Sequence, residues 1–237
     1  MKRTFKLFLL VAIIATSTTL VNAQKSKKPF SGTIKSTLTY EGYEATQTTQ
    51  LPTSSTTIIS GNKQKTTVDY GQYAIVSIMD GDEESTLFYI DVMGQKIGFS
   101  QNKAAIAKEK EEDKSPKPTI TKSDETKEIA GVKCKKITIL TKDEETGDES
   151  TTVIWYTEEL GTNEKLNFMS SEQGINGIVL GTETTSGKTV TKSFATEIVK
   201  EKIKSLEFLV PADAKIFDTK EKFNEELKAK FGGGEEE

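Results

Sequence analysis

The chain has 237 residues, of which 34% are hydrophobic, and it carries a net charge of −4, one cysteine and no histidine. The lack of histidine excludes Ser-His-Asp and Cys-His catalysis and removes the usual zinc ligand sets. The acidic balance argues against nucleic-acid binding, which rewards clustered lysine and arginine. The sequence contains no G-x-S-x-G, P-loop or G-x-G-x-x-G motif. We therefore predict a protein that is not an enzyme and that has no metal or cofactor. An enzyme that works without histidine stays the weakest alternative.

The first residues have the pattern of a secretory signal peptide. Lys2, Arg3 and Lys6 precede an apolar run, and "VNA" places small residues at the cleavage positions, so we expect cleavage after Ala23. The run is too short to span a bilayer, and no later segment is apolar enough to do so. The mature chain has 29 basic against 36 acidic residues, a net charge of −7. We predict that it is periplasmic or secreted.

The first half of the mature chain is typical of short β-strands. "FSGTIKSTLTY" alternates with a period of two, and the threonine-rich segments "YEATQTTQ" and "SSTTIISG" favour strands with one wet face. "YAIVSIMDGDEESTLFYIDVMGQKIGF" predicts three strands that are apolar on both faces and lie centrally in a sheet. Residues 101–118 change to alanine and alternating charge, which predicts a short helix ended by two prolines.

The second half predicts further strands and a last helix. "EIAGVKCKKITIL" and "STTVIWYTEEL" form a hairpin, "EKLNFMSSEQGINGIVLGTETTSGKTVTKSFATEIVKEKI" adds strands, and "LEFLVPADAKIF" ends the sheet. In "DTKEKFNEELKAKF", Asp218 is the expected N-cap with Glu221 as its capping-box partner. Phe223, Leu227 and Phe231 form an apolar stripe that packs on the sheet or, alternatively, grips a membrane surface.

These elements predict a mainly β fold, in which an antiparallel sheet curls into a half-open barrel with one or two packed helices. Roughly ten strands rarely stay flat. The predicted organisation is a signal peptide (1–23), a mobile lead-in (24–29), one β-rich domain (30–231) and a disordered acidic tail (232–237).

"IAGVKCKKITI" followed by "VIWYTEEL" resembles the signature of two related families of exported bacterial proteins. One is the domain of unknown function 4412, and the other is the GLPGLI family. "GINGIVL", from Gly174 to Leu180, is similar to the second family's motif, although Asn176 replaces its proline and favours the first family. The resemblance implies a fold like that of the LolA-type lipoprotein-sorting carriers, in which a half-open barrel covered by helices holds acyl chains. It supplies no catalytic residue.

Within this motif, Gly131 is a further motif glycine, and Gly174 and Gly177 are expected to be turn residues. Cys134 is expected to pack in the core, as unpaired cysteine usually does. A disulfide to another chain is the alternative, since a lone cysteine in an exported protein is unusual. If Cys134 were exposed, its neighbouring lysines would lower its pKa and make it reactive.

Two functions follow from these observations. The leading one is an exported binding module that holds a lipid or another apolar ligand in the concave face of the sheet. The alternative is an envelope protein with a filled core that acts through a protein partner. A tryptophan is by default a core residue. If a cavity exists, the candidates for its wall are Trp155, Tyr156, Phe168, Phe223 and Leu227.

Overall fold

The structure is a computed structural model that describes residues 28–113, 115–142, 147–161, 164–169 and 175–231. Several expectations lie outside these residues: the signal peptide over 1–23, most of the lead-in, Gly174, and the acidic tail over 232–237. They stay predictions.

The described residues form twelve strands, three α-helices and two 3₁₀ helices. The strands are β1 (Ser31–Glu41), β2 (Ser54–Ser60), β3 (Lys63–Asp69), β4 (Tyr73–Asp80), β5 (Ser85–Val92), β6 (Gln95–Gln101), β7 (Thr119–Ile129), β8 (Val132–Lys142), β9 (Glu149–Thr157), β10 (Ile178–Ser186), β11 (Thr189–Lys200) and β12 (Lys215–Phe217). The α-helices are α1 (Ala45–Thr48), α2 (Lys103–Glu112) and α3 (Lys220–Phe231), and the 3₁₀ helices are Glu164–Met169 and Ser205–Phe208.

All twelve strands belong to one sheet, in the order β12-β6-β5-β4-β3-β2-β1-β11-β10-β9-β8-β7. Every neighbouring pair is antiparallel except β12 with β6. Among the described strands, the first and last in this order do not pair with each other, so the sheet is open. The predicted mainly β class with a curled antiparallel sheet and packed helices is confirmed.

The sheet curls strongly on the side that ends in β7. Lys127 Nζ on β7 lies 4.1 Å from the centroid of the Phe194 ring on β11, although three strands separate β7 from β11 in the sheet order. Gly181 on β10 permits this approach, because a Cβ there would meet the Phe194 ring and come within 3.1 Å of Ile129 Cδ1. β-Bulges in β11, β10 and β7 supply the bending.

The β4–β5–β6 meander was predicted to be central, and this prediction is wrong. The meander lies next to the edge strand β12. Its strands are nonetheless apolar on both sides because both are covered. On one face Phe223 of α3 packs against Phe88 and Phe99. On the other, Phe208 packs with a cluster that includes Val76 and Tyr89. A meander covered on both sides carries the same sequence signal as a central one.

Three other predicted strands are helical or irregular. The "YEATQTTQ" segment contains α1, in which the side chains of Glu44 and Gln47 form a capping box. The "EKLNFM" segment is a 3₁₀ helix, and so is "SLEF" (Ser205–Phe208). In α1 the capping box competes with the β propensity of the threonines, whereas the 3₁₀ helix Ser205–Phe208 has no side-chain cap.

The helix start at α3 also differs from the prediction. Thr219 is the N-cap, since its Oγ1 accepts a hydrogen bond from the backbone N–H of Lys222 at 3.3 Å. Asp218 instead pairs with the Lys222 ammonium, at 2.8 Å. Within the described residues, no helix combines the length and apolar character needed to cross a membrane.

Candidate functional site

One face of the sheet bears a cavity of about 340 Å³. Its walls come from strands β1 to β4, from β10 and β11, and from the 3₁₀ helix Glu164–Met169. The cavity therefore lies where the two halves of the sheet meet, on either side of β1. None of the described residues that line it is charged.

The strand register shows that the lining residues of β1 to β4 share one face. Side chains that lie opposite each other in neighbouring strands point to the same side of a sheet. Ile34 is opposite Thr57, which is opposite Thr66. Ser36 is opposite Ser55 in the next row along β1 and β2. We call this side of the sheet the cavity face.

One end of the cavity is apolar. Its side chains are Ile34, Ile59, Met79, Leu166, Ile178 and Leu180. All six belong to or pack against one core cluster, in which Ile34 and Ile59 are only 3% and 2% exposed. This end is closed by the core and can hold an apolar group away from water.

The other end is lined by hydroxyl groups. They belong to Ser36, Ser55, Thr57, Thr66, Thr182 and Ser193. All six residues are half-buried. The Thr57 and Thr66 hydroxyls are hydrogen-bonded to each other at 3.1 Å. Two amides, from Gln64 and Asn167, complete the polar lining. The wall thus combines an apolar end with uncharged groups that donate and accept hydrogen bonds.

The 3₁₀ helix Glu164–Met169, which we call the cap, covers the cavity through Leu166 and Asn167. Asn167 Nδ2 donates to the carbonyl oxygen of Ile175, which ties this cap to the segment before β10. Lys110 of α2 donates to the carbonyl oxygen of Phe168 at 2.8 Å. The cap is therefore held by hydrogen bonds to the segment before β10 and to α2.

A third attachment joins the cap to the β4–β5 turn. Lys165 Nζ lies 2.7 Å from Asp82 Oδ1, which also accepts from Asn62 Nδ2 at 2.9 Å. These two donors, Lys165 first, hold the pKa of Asp82 below its usual value, and Asp82 in turn raises the pKa of Lys165. Gly81 sits directly under the Lys165 carbonyl oxygen, where a Cβ would not fit. The missing side chain lets the cap lie flat on the turn.

Trp155 and Tyr156 lie in the core, outside the wall of this cavity. Trp155 is 6% exposed and packs with Cys134 and Leu180 in the cluster that closes the apolar end. Lys127 and Lys136 place their ammonium groups over its ring. Tyr156 is 7% exposed and packs in a separate cluster with Ile137 and Ile154. Both side chains stabilise β9 rather than contact a ligand here.

The other three wall candidates are also placed elsewhere. Phe223 is 4% exposed and packs on Phe88 and Phe99, and Leu227 is half-buried further along α3. Phe168 belongs to the cap, but it is not among the cavity-lining residues. By register, Phe88 shares the cavity face, so α3 covers the same side of the sheet at its other end.

Cys134 is completely buried, with its Sγ 3.5 Å from the Val132 carbonyl oxygen. Burial, aided by the charge of Glu159, raises the pKa of the thiol to about 11. Of the neighbouring lysines, Lys133 and Lys135 are exposed, and the Lys136 ammonium is paired with Glu125 at 2.7 Å. The structure therefore places Cys134 as a core residue and leaves no access for a disulfide to another chain.

The motif glycines have different roles. Gly131 forms the β7–β8 turn together with Ala130, and both have positive φ, at 76° and 49°. Gly177 lines the cavity. Close packing explains why this residue is a glycine, because a Cβ there would run into the Thr157 carbonyl oxygen. Gly177 is the motif residue that belongs to the site.

Sequence reasoning missed the hydroxyl-lined wall. The available signal was the high content of serine and threonine residues in β1, β2 and β3, which occur on both faces of these strands. This pattern was interpreted only as the wet face of an ordinary strand. Which serines and threonines face a cavity depends on the pairing of β1 with β11, residues far apart in the chain.

Comparison with family models and with curated proteins gives no match. Among solved structures, the chain is similar to the crystal structure of LprF from Mycobacterium bovis. The identity is 11% and the TM-score is 0.31, over 78% of this chain and 90% of that one. A structural similarity this weak assigns no function to the residues of this chain.

Proposed function

We propose that this chain is an exported, non-enzymatic binding module that holds a lipid or another small apolar ligand in the cavity between the sheet and the cap. The observation that carries the proposal is the cavity itself. A module with a filled core would have no such space on its sheet face. The volume of about 340 Å³ falls in the lower part of the range of roughly 300–1,000 Å³ for small-molecule sites.

The covering elements support the same proposal. A ligand in this cavity would be enclosed by Leu166 and Asn167 and by the backbone of β10. The cap is attached by side-chain contacts rather than by sheet pairing. Elements held in this way open at a lower free-energy cost than core strands, which suits the entry and release of a ligand.

The first test is native mass spectrometry of the mature protein purified from the organism that makes it, followed by solvent extraction. We expect a bound mass that is released on denaturation. The variant Ser36→Trp should lose it, because the indole fills the cavity. Its control is Thr37→Trp, since Thr37 is the next residue of β1 and is exposed on the opposite face. A clean unliganded mass, with no uptake of added lipids by the unaltered protein, contradicts the proposal.

A second candidate is an envelope protein that acts through a protein partner. Three apolar side chains near the end of the sheet favour it: Leu206, Leu209 and Val210 are 69%, 60% and 51% exposed. The double variant Leu206→Ser with Leu209→Ser distinguishes the two candidates. Loss of biological function with unchanged ligand content supports the interaction role, whereas unchanged function counts against it.

A further inference from the structure

The distribution of polarity in the cavity follows the strand register. On β1 the lining changes from Ile34 to Ser36, and on β2 from Ile59 through Thr57 to Ser55. Successive positions on one face are about 6.6 Å apart along a strand. The polarity of the lining therefore rises along the strand axis. The row of Ile59 and Met79 contains one amide, the next row combines Ile34 with Thr57 and Thr66, and the row of Ser36 and Ser55 bears hydroxyl groups.

The hydroxyl end continues across β1 onto the other half of the sheet. Ser193 lies opposite both Leu38 of β1 and Thr182 of β10. It therefore belongs to the row after Ser36 on the same face. Ser36 and Ser55 together with Ser193 and Thr182 thus form a polar rim at one end of the cavity, contributed by four strands.

These rim hydroxyls are available to a ligand. Within the part of the chain that the structure describes, the side-chain hydroxyls of Ser36, Ser55, Thr182 and Ser193 form no hydrogen bonds. The deeper pair, Thr57 and Thr66, bond to each other, and the Thr66 hydroxyl also accepts from Gln64 Nε2. Hydroxyl groups that line a cavity without internal partners are suited to hydrogen-bond a bound molecule.

The described lining offers no group to neutralise an ion. Among the described residues that border the cavity, none has a charged side chain. The cap lysine next to Leu166 is Lys165, and it is already paired with Asp82. An ionised head group drawn into this space would lose its hydration without gaining a counter-charge, which is strongly unfavourable.

From this arrangement we infer the class of ligand and its orientation: an uncharged amphiphile whose apolar part lies against Ile34, Ile59 and Leu166 and whose neutral, hydrogen-bonding head group lies at the Ser36–Ser55–Thr182–Ser193 rim. This inference rests on the proposed function and specifies it. It excludes free fatty-acid anions and charged phospholipid head groups as the preferred occupants.

The test is isothermal titration calorimetry of the full mature protein with three probes that share one ten-carbon chain. They are monodecanoylglycerol, decanoate and decyltrimethylammonium, each below its critical micelle concentration, at about pH 7.5, where decanoate is ionised. We expect the neutral probe to bind about tenfold or more tightly than either ion. Equal or tighter binding of decanoate overturns the inference and leaves the proposed function standing. Failure of all three probes to bind, together with an unliganded native mass, overturns both.

Variants at the rim test the orientation. Thr182→Val should lower the affinity for monodecanoylglycerol about threefold to tenfold, since it removes one hydrogen-bonding group without changing the volume. The matched control is Thr185→Val, an exposed threonine of the same strand on the opposite face, which should leave the affinity unchanged. Ser55→Lys supplies the missing charge and should raise the affinity for decanoate about tenfold. No change in either rim variant contradicts the assigned head-group position.

Discussion

The lone cysteine shows how burial overrides local sequence at the scale of a single residue. Three nearby lysines favour a reactive thiolate, yet Cys134 is 0% exposed and its pKa is raised to about 11. Desolvation opposes the charged form of a thiol more than side chains outside the core can favour it. Cys134 therefore behaves as a small apolar residue of the cluster around Trp155.

We predict that the thiol of Cys134 is inert in the folded protein. Because the pKa is raised, the thiolate is scarce at neutral pH, and the side chain is shielded from reagents. Labelling with iodoacetamide at about pH 8 should be very slow without denaturant and complete in denaturant. A fast reaction of the native protein, or a disulfide-linked dimer on a non-reducing gel, would contradict this placement.

At the scale of the element, α3 is anchored mainly by one aromatic side chain. Phe223 is 4% exposed and packs at 5.8 Å and 5.2 Å, between ring centroids, from Phe88 and Phe99. Leu227, one turn later, is half-buried. The helix thus packs on the sheet, as the favoured interpretation of its apolar stripe predicts, and the side chain of Phe231 lies outside the described structure.

We expect Phe223→Ala to lower the free energy of unfolding by about 3–5 kcal/mol, the usual cost of removing a buried phenyl ring. Urea denaturation followed by circular dichroism measures the change. Leu227→Ala is the control on the same helix and should cost less, because its side chain is only partly buried. An equal loss for the two variants would show that Phe223 is not the anchor.

The cap is the second element whose attachment is decided by a few contacts. Asp82 holds Lys165 at 2.7 Å, and its lowered pKa keeps the pair intact at neutral pH. Because folding lowers the pKa of Asp82, the ion pair stabilises the fold more at higher pH. The contribution of this pair is fully present above the ordinary pKa of 3.8 and is lost as the pH falls through the lower folded value.

We predict that Asp82→Asn speeds ligand release and has little effect on global stability, because an exposed ion pair contributes little to unfolding. The off-rate of monodecanoylglycerol, measured by competition, should rise several-fold. The control is Glu149→Gln, which breaks the exposed pair with Lys142 far along β9 and should leave the off-rate unchanged. An unchanged off-rate in Asp82→Asn would show that this pair does not hold the cap.

At the scale of the whole molecule, the open sheet leaves β7 as an edge strand. β7 is almost entirely exposed and reads "TITKSDETKEI", with a bulge after Ser123. Charged side chains and bulges are common protections of a sheet edge against pairing with another chain. The curl of β7 toward β11 turns this edge further inward.

We expect the double variant Lys122→Val with Glu128→Val to self-associate, because it replaces edge charges by strand-favouring apolar residues. Light scattering and size-exclusion chromatography measure the change. Lys142→Val with Glu149→Val is the control, since these residues pair across two non-edge strands. An edge variant that stays as dispersed as the unaltered protein would contradict a protective role.

Local patterns in the sequence determined the class of the fold and most of its strands. Alternation predicts β1, apolar runs separated by turns predict β4, β5 and β6, and the change at residues 101–118 predicts α2, because these signals depend only on neighbouring side chains. The same local logic failed where a capping box competes with β propensity, as in α1, and for the 3₁₀ helix Glu164–Met169. It also failed for β4 to β6, since burial on both faces does not specify a place in the sheet order.

The tertiary structure alone decided the site. The cavity exists because β1 pairs with β11, about 160 residues away in the chain, and because the bulge in β10 lets residues 177–182 border it. Three of the aromatic residues that were predicted to line a cavity, Trp155, Tyr156 and Phe223, fill the core instead, since large apolar rings gain most from full burial. The serines and threonines that line the cavity are indistinguishable in sequence from those on an ordinary wet face, and only their pairing partners place them around an enclosed space.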